Sequence, residues 1–286
     1  MGQLELEIQR RREPDRNFSV GGRSFYFFDF DDNVAFLSTP IFIFHKSTGK
    51  ELSLSSGEFA KHSATIGKLG PYQDYRVDFN DEQGSFRCFR DVEFSRLERL
   101  LGKRQAFVED LAAVLGYGDF QWKGPSWLYF YYAVFNRRPV SVITARGHHP
   151  DTIRKGIRLF RDHGYLPAEP NYLSLYPVSH PETQLALGFG GFASVAEMKQ
   201  AAIRASVLRA FDVYGYSDHH RFGVSDDDPK NIELITEEMT KLKREFPEIS
   251  FFVIKTCKGE FMKREVFADY TLEKILEPPQ QGSLFD

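Results

Sequence analysis

The sequence predicts an α/β fold of three layers, α/β/α, with an open parallel sheet between two sets of helices. Three observations carry this. Short runs are apolar on both faces, as strands buried inside a parallel sheet must be. Stretches of helical periodicity alternate with those runs. The runs end in polar residues, where open sheets of this kind bind ligands.

The first run is Ser24 to Phe30, Ser-Phe-Tyr-Phe-Phe-Asp-Phe. The second is Val140 to Ile143, ending at Thr144-Ala145-Arg146-Gly147. Helical spacing follows from Pro150 to Arg161, with Pro at the start and Gly164 past the end. A third run is Tyr172 to Val178, and helical spacing returns from Ser194 to Phe211. A short strand precedes Ser225-Asp226-Asp227-Asp228. A helix from about Asn231 to Phe246 and a last strand from Ile249 to Ile254 complete the pattern.

The segment after the first strand breaks the alternation. It holds glycine-rich turns, a charged helical run around Val92 to Arg104 and an amphipathic run around Phe107 to Leu115. It reads as an inserted, mainly helical cap domain at 51–127, leaving 1–50 and 128–275 as the core. Residues 276–286 read as a flexible tail, from the Pro-Pro-Gln-Gln-Gly composition near its start.

Composition excludes several classes. A net charge of −3 argues against a chain-wide nucleic-acid footprint. Two cysteines, Cys88 and Cys257, are too few for a disulfide framework and fit reduced thiols in a cytoplasmic protein. No apolar run has the length of a membrane span. Arg10, Arg11 and Arg12 precede no apolar stretch, so no secretory signal is expected. The 28 phenylalanines predict an aromatic-rich core.

Four local patterns carry chemistry. In Phe28-Asp29-Phe30-Asp31-Asp32-Asn33, residues two apart on a strand point the same way, so Asp29 and Asp31 are expected to face one crevice. Two carboxylates there repel unless a cation or a proton intervenes. That suits phosphoryl transfer, with Mg²⁺ screening the phosphate, one carboxylate attacking phosphorus and the other moving the proton. Thr144 with the following N–H groups forms a phosphate cradle at a helix N-terminus. Lys199, early in a helix, can neutralise charge. Asp226 and Asp227 can complete a metal shell, with Asp228 as the cap of the next helix. Taken singly, each pattern also fits a surface turn, a cap or a solvated lysine.

Their order lifts them. Asp-x-Asp, Thr, Lys and an acidic cluster, each on its own element, resemble the four motifs of the haloacid dehalogenase (HAD) superfamily. The resemblance covers roughly 24–45 and 138–256. It implies a Rossmann-like core and a magnesium-dependent phosphatase or phosphotransferase acting through an aspartyl-phosphate. It implies Asp29 as nucleophile, Asp31 as general acid/base, Thr144 as phosphate-binding hydroxyl and Lys199 as the stabilising lysine, with Lys230 as the competitor. It implies Mg²⁺ on Asp29, the carbonyl of Asp31, Asp226 and Asp227. Asn33 replaces the family's usual Thr and is expected, with Ala145 and Arg146, to touch substrate. Asp31 favours phosphate esters over carbon–halogen bonds, because an alkoxide leaving group needs an acid.

The substrate is expected to be a small phosphorylated molecule. Sugar phosphates, nucleotides and phosphorylated macromolecular ends all stay open. Alternatives are a metal-dependent nuclease without a covalent intermediate and a non-enzymatic binding protein. His148, His149, His219 and His220 show no zinc-ligand spacing. The tail Gln281-Gly282-Ser283-Leu284-Phe285 resembles the peptide that docks bacterial proteins on the replication sliding clamp. Gln281, Leu284 and Phe285 would carry that contact, weakened by Gly282.

Overall fold

The computed structural model describes residues 11–116, 122–191, 193–256 and 261–276. The sheet is built from β1 (Ser24–Phe28), β5 (Pro139–Thr144), β6 (Asn171–Pro177), β7 (Arg221–Asp226), β8 (Ser250–Lys255), β9 (Phe261–Val266) and β10 (Thr271–Leu276). Its order is β10-β9-β8-β7-β1-β5-β6. The five strands from β8 to β6 run parallel, and β9 and β10 add antiparallel at one edge. The sequence reading ended the sheet at Ile254. The added pair does not stand out in the sequence because Phe261-Met-Lys-Arg-Glu-Val mixes charge into both faces and offers no apolar run.

Side chains of β1 alternate between two cores. Phe25 and Phe27 join one with α7 (Val195–Tyr214) and α8 (Pro229–Glu245). Tyr26 and Phe28 join the other with α3 (Ala106–Leu115), α4 (Trp127–Phe135) and α5 (Pro150–Asp162). Every residue of β1 is buried, which is why the run carries no polar alternation. The result is a Rossmann-like α/β fold, mostly parallel and flanked by helices on both faces. The short α6 (Pro181–Ala186) follows β6.

The chain leaves β1 for β5 and β6 on one side, then returns to place β7 on the other. That reversal opens a crevice at the carboxyl end of β1, the general ligand position in open sheets.

The excursion between β1 and β5 does not follow the boundaries 51 and 127. It is not mainly helical at its start. A separate three-stranded sheet, order β3-β2-β4, comprises β2 (Ile41–His45), β3 (Glu51–Leu54) and β4 (Tyr75–Arg76). Ile43, Leu54 and Ile66 form its own small core. Two short helices, α1 (Ser56–His62) and α2 (Arg96–Leu100), accompany it. At the other end, α3 belongs to the main core. Its stripe Phe107, Leu111, Val114 and Leu115 packs with Phe30 and Phe160. Gly156 of α5 permits this contact, since a Cβ there would lie 2.4 Å from the Phe107 ring. No helix among the described residues is long and apolar enough to cross a membrane. Cys257 and the tail residues Gln281, Leu284 and Phe285 lie outside the described residues.

Candidate active site

Strand parity sets one half of the site. Asp29 continues the Phe25–Phe27 face of β1, and Asp226 continues the Phe222–Val224 face of β7. Both therefore point toward α7. That helix starts at a capping box, Ser194 with Glu197, which places Lys199 in its second turn. Lys199 lies in the buried stripe with Met198, Ala202 and Ile203. Its Nζ donates to Oδ2 of Asp226 at 2.8 Å and stands 3.0 Å from Oδ1 of Asp29. Lys230 is exposed, and its backbone N–H is capped by Asp228.

Asp227 joins them. Carboxylate oxygens of Asp29, Asp226 and Asp227 lie within 4.8 Å of one another. Asp226 is further held by the N–H of Asp228 at 3.0 Å and by Nδ2 of Asn231 at 3.1 Å. Asn231 was not foreseen. It lies in the first turn of α8, where an amide can reach back to the preceding strand end.

One lysine does not balance these acids. Burial, then the charges of Asp226 and Asp32, push Asp227 up to about 7. Burial raises Asp29 as well, reinforced by Asp226, Asp227 and Asp31 and opposed by Lys199. Burial works against the Lys199 charge, but Asp226 and Asp29 outweigh it and raise its pKa. The centre is thus a hard-oxygen donor set with excess negative charge, which fits a small divalent cation such as Mg²⁺. Asp29, Asp226 and Asp227 would hold it. The carboxylate of Asp31 is not in this cluster.

Asp31 faces elsewhere. β1 ends at Phe28, so the two-residue parity expected for Asp29 and Asp31 does not apply. The N–H groups of Val34 and Ala35 both donate to the carbonyl of Phe30, and Asp32 adopts φ 57°, so the chain turns back at once. The Asp31 carboxylate then meets Arg146, whose Nε lies 3.0 Å from both oxygens and whose Nη2 lies 2.7 Å from Oδ1. Thr144 Oγ1 donates to the same carboxylate at 3.1 Å.

Arg146 does not reach toward substrate as expected. Its side chain is 1% exposed, sandwiched between the rings of Phe89 and Phe107 at 4.7 Å each. Nη2 also donates to Thr39 Oγ1 at 2.7 Å. Asn33 differs from its expected role too. It is fully buried, and its Nδ2 donates to the carbonyls of Asp29 and Ser225 while its Oδ1 accepts from Thr256 at 2.8 Å. It therefore ties together the ends of β1, β7 and β8, with its donors spent on backbone. Ala145 is exposed at the end of β5.

The histidines stand apart from the metal-type cluster. Burial, Arg146 and His180 lower His148 to about 2, so it is neutral. His220 bonds the carbonyl of Gly215 at the opposite end of the sheet.

No family model, curated protein or solved structure matches the chain. Function is therefore argued from the site itself.

Proposed function

We propose that the protein is a magnesium-dependent phosphatase or phosphotransferase of the HAD type, with Asp29 as nucleophile. The observation that carries this is the convergence of Asp29, Lys199 and the consecutive pair Asp226 and Asp227, brought together from β1, α7 and β7.

Asp29 is suited to attack. Lys199 engages its Oδ1, which leaves Oδ2 for phosphorus. In the first step an Asp29 oxygen bonds to phosphorus, the ester P–O bond breaks and the leaving oxygen takes a proton. In the second, water attacks the aspartyl-phosphate, its proton passes to a base and the Asp29 carboxylate returns. A bound Mg²⁺ would neutralise phosphoryl charge in both steps. Lys199 lowers the charge of the nucleophile's surroundings, and the Thr144 hydroxyl, which donates to Asp31, turns to the phosphoryl oxygens only when that bond is released.

Asp31 is the group placed to give and then take the proton. While it accepts hydrogen bonds from Arg146 and Thr144, it cannot donate one. Proton delivery therefore follows release of the Arg146 pair. Phe89 and Thr39, which hold Arg146, both belong to the excursion between β1 and β5, so its movement governs the step. In that role the excursion acts as a cap that closes over substrate.

The test is hydrolysis of p-nitrophenyl phosphate. Wild type should turn over with Mg²⁺ and stop with EDTA, and Asp29→Asn should be inactive in both conditions. Turnover that survives Asp29→Asn removes the proposal.

A further inference from the structure

A cavity of about 550 Å³ lies between α2, α3 and α5, and none of the proposed phosphoryl-site residues lines it. Its walls include Arg99, Lys103, Arg104 and Lys155, with Phe94 and Val108 between them. Glu93 is the single carboxylate on its lining. Arg99 and Lys103 are oriented by local partners, the carbonyl of Phe94 and the carboxylate of Glu98. Arg104 and Lys155 are exposed and form no ion pair among the described residues.

Connections tie this cavity to the crevice. The 3-10 turn Arg87–Phe89 puts Phe89 on Arg146, which binds Asp31. Two residues on, Asp91 accepts from the N–H of His149 at 3.1 Å and from Thr152 Oγ1 at 2.9 Å. Val92 and Thr152 then line the cavity itself. The basic wall thus lies on the carboxyl-end rim of the sheet, reached from β5 through the first turn of α5.

Resting on the phosphatase reading of the Asp29 centre, we infer that this cavity is a second phosphate subsite, and that the substrate carries a further phosphate remote from the one removed. With Lys103 paired to Glu98, Arg99, Arg104 and Lys155 face one lining acid, and such an excess attracts an anion without holding it in a single geometry. The apolar strip of Phe94 and Val108 covers the uncharged body between the two phosphates. Two sources share that chemistry, a small bisphosphate and a nucleic-acid strand with a terminal phosphate.

The experiment is equilibrium binding by the full chain in EDTA, where no turnover occurs. One probe is a fluorescent single-stranded oligonucleotide with a terminal phosphate, read by anisotropy. The other is a hexose bisphosphate, read by competition or calorimetry. The variant is Arg104→Glu with Lys155→Glu. The charge-matched control is Lys50→Glu with Lys61→Glu, both exposed and neither on the cavity lining. At least one probe should bind wild type. The cavity variant should weaken it by about tenfold or more and flatten its salt dependence, with the control unchanged. The probe that responds names the source. If neither probe binds wild type, or if variant and control weaken binding equally, the subsite is refuted. Because binding is read without catalysis, failure of the Asp29 chemistry appears separately, in the p-nitrophenyl phosphate assay.

Discussion

The two halves of the site are built differently. On the α7 side, Asp29, Lys199, Asp226 and Asp227 sit on elements of the central sheet and its longest helix. On the α5 side, Asp31 is held by Thr144 and Arg146, and Arg146 is held by Phe89 and Thr39. The first half is fixed by the core. The second depends on a segment with its own small sheet. Under the proposed function, a charge centre held by the core faces an acid set by a peripheral segment, so the chemistry would wait for that segment to close.

The contrast can be broken most strongly at Lys199. Its removal as Lys199→Met strands two buried carboxylates, at a cost of about 3–5 kcal/mol. For a chain of this size the melting temperature should fall by roughly 5–8 °C. A melt within a degree or two of wild type would mean the α7 half is not held by charge.

A second break separates the halves by readout. Phe89→Ala should loosen the Arg146–Asp31 pair, raising kcat where release of that pair limits turnover, and leave Mg²⁺ affinity unchanged. Asp227→Asn should weaken Mg²⁺ binding by about 10–100-fold. Titrating Mg²⁺ at saturating substrate distinguishes them, and equal loss of metal affinity in both variants would dissolve the distinction.

The pH dependence sharpens the same point. Asp227 is raised to about 7 in the folded chain, above the ordinary carboxylate value. Between about pH 4 and 7 the native state binds more protons than the unfolded state, so stability falls as pH rises through that window. Burial raises Asp29 in the same direction. The loss should be on the order of 1–2 kcal/mol after solvent screening, smaller in Asp227→Asn, and suppressed by Mg²⁺. Stability that rises with pH over this range would contradict the charge imbalance.

A last effect concerns Asn33. Asn33→Ala should destabilise by about 1–3 kcal/mol through lost bonds to Thr256 and the strand ends, with KM little changed. A selective rise in KM would restore Asn33 to substrate binding.

Much of the α7 half was legible because strand burial and parity are local. Four aromatic residues before Asp29 require burial on both faces, and that fixes where the polar residues emerge. Lys199 was recoverable too, since it falls in register with Met198, Ala202 and Ile203 on an apolar stripe. The α5 half was not. Parity was carried past Phe28, where the chain turns. Arg146 read as a substrate contact because nothing in the sequence announces that Phe89 and Phe107 enclose it. Both rings lie tens of residues away, in a segment whose register with the core is set only by folding. The bonds of Asn33 were not legible for a related reason. An amide at a strand end serves ligand or backbone equally well, and Thr256 decides it from far along the chain.

The most direct measurement is the fate of the transferred phosphoryl group. After rapid quenching during turnover, peptide mapping should find an acid-stable, hydroxylamine-labile phosphate on the peptide containing Asp29, and none in Asp29→Asn. Steady turnover with no phosphoprotein, or with the label on another residue, would contradict a nucleophilic Asp29 and point to direct attack by water.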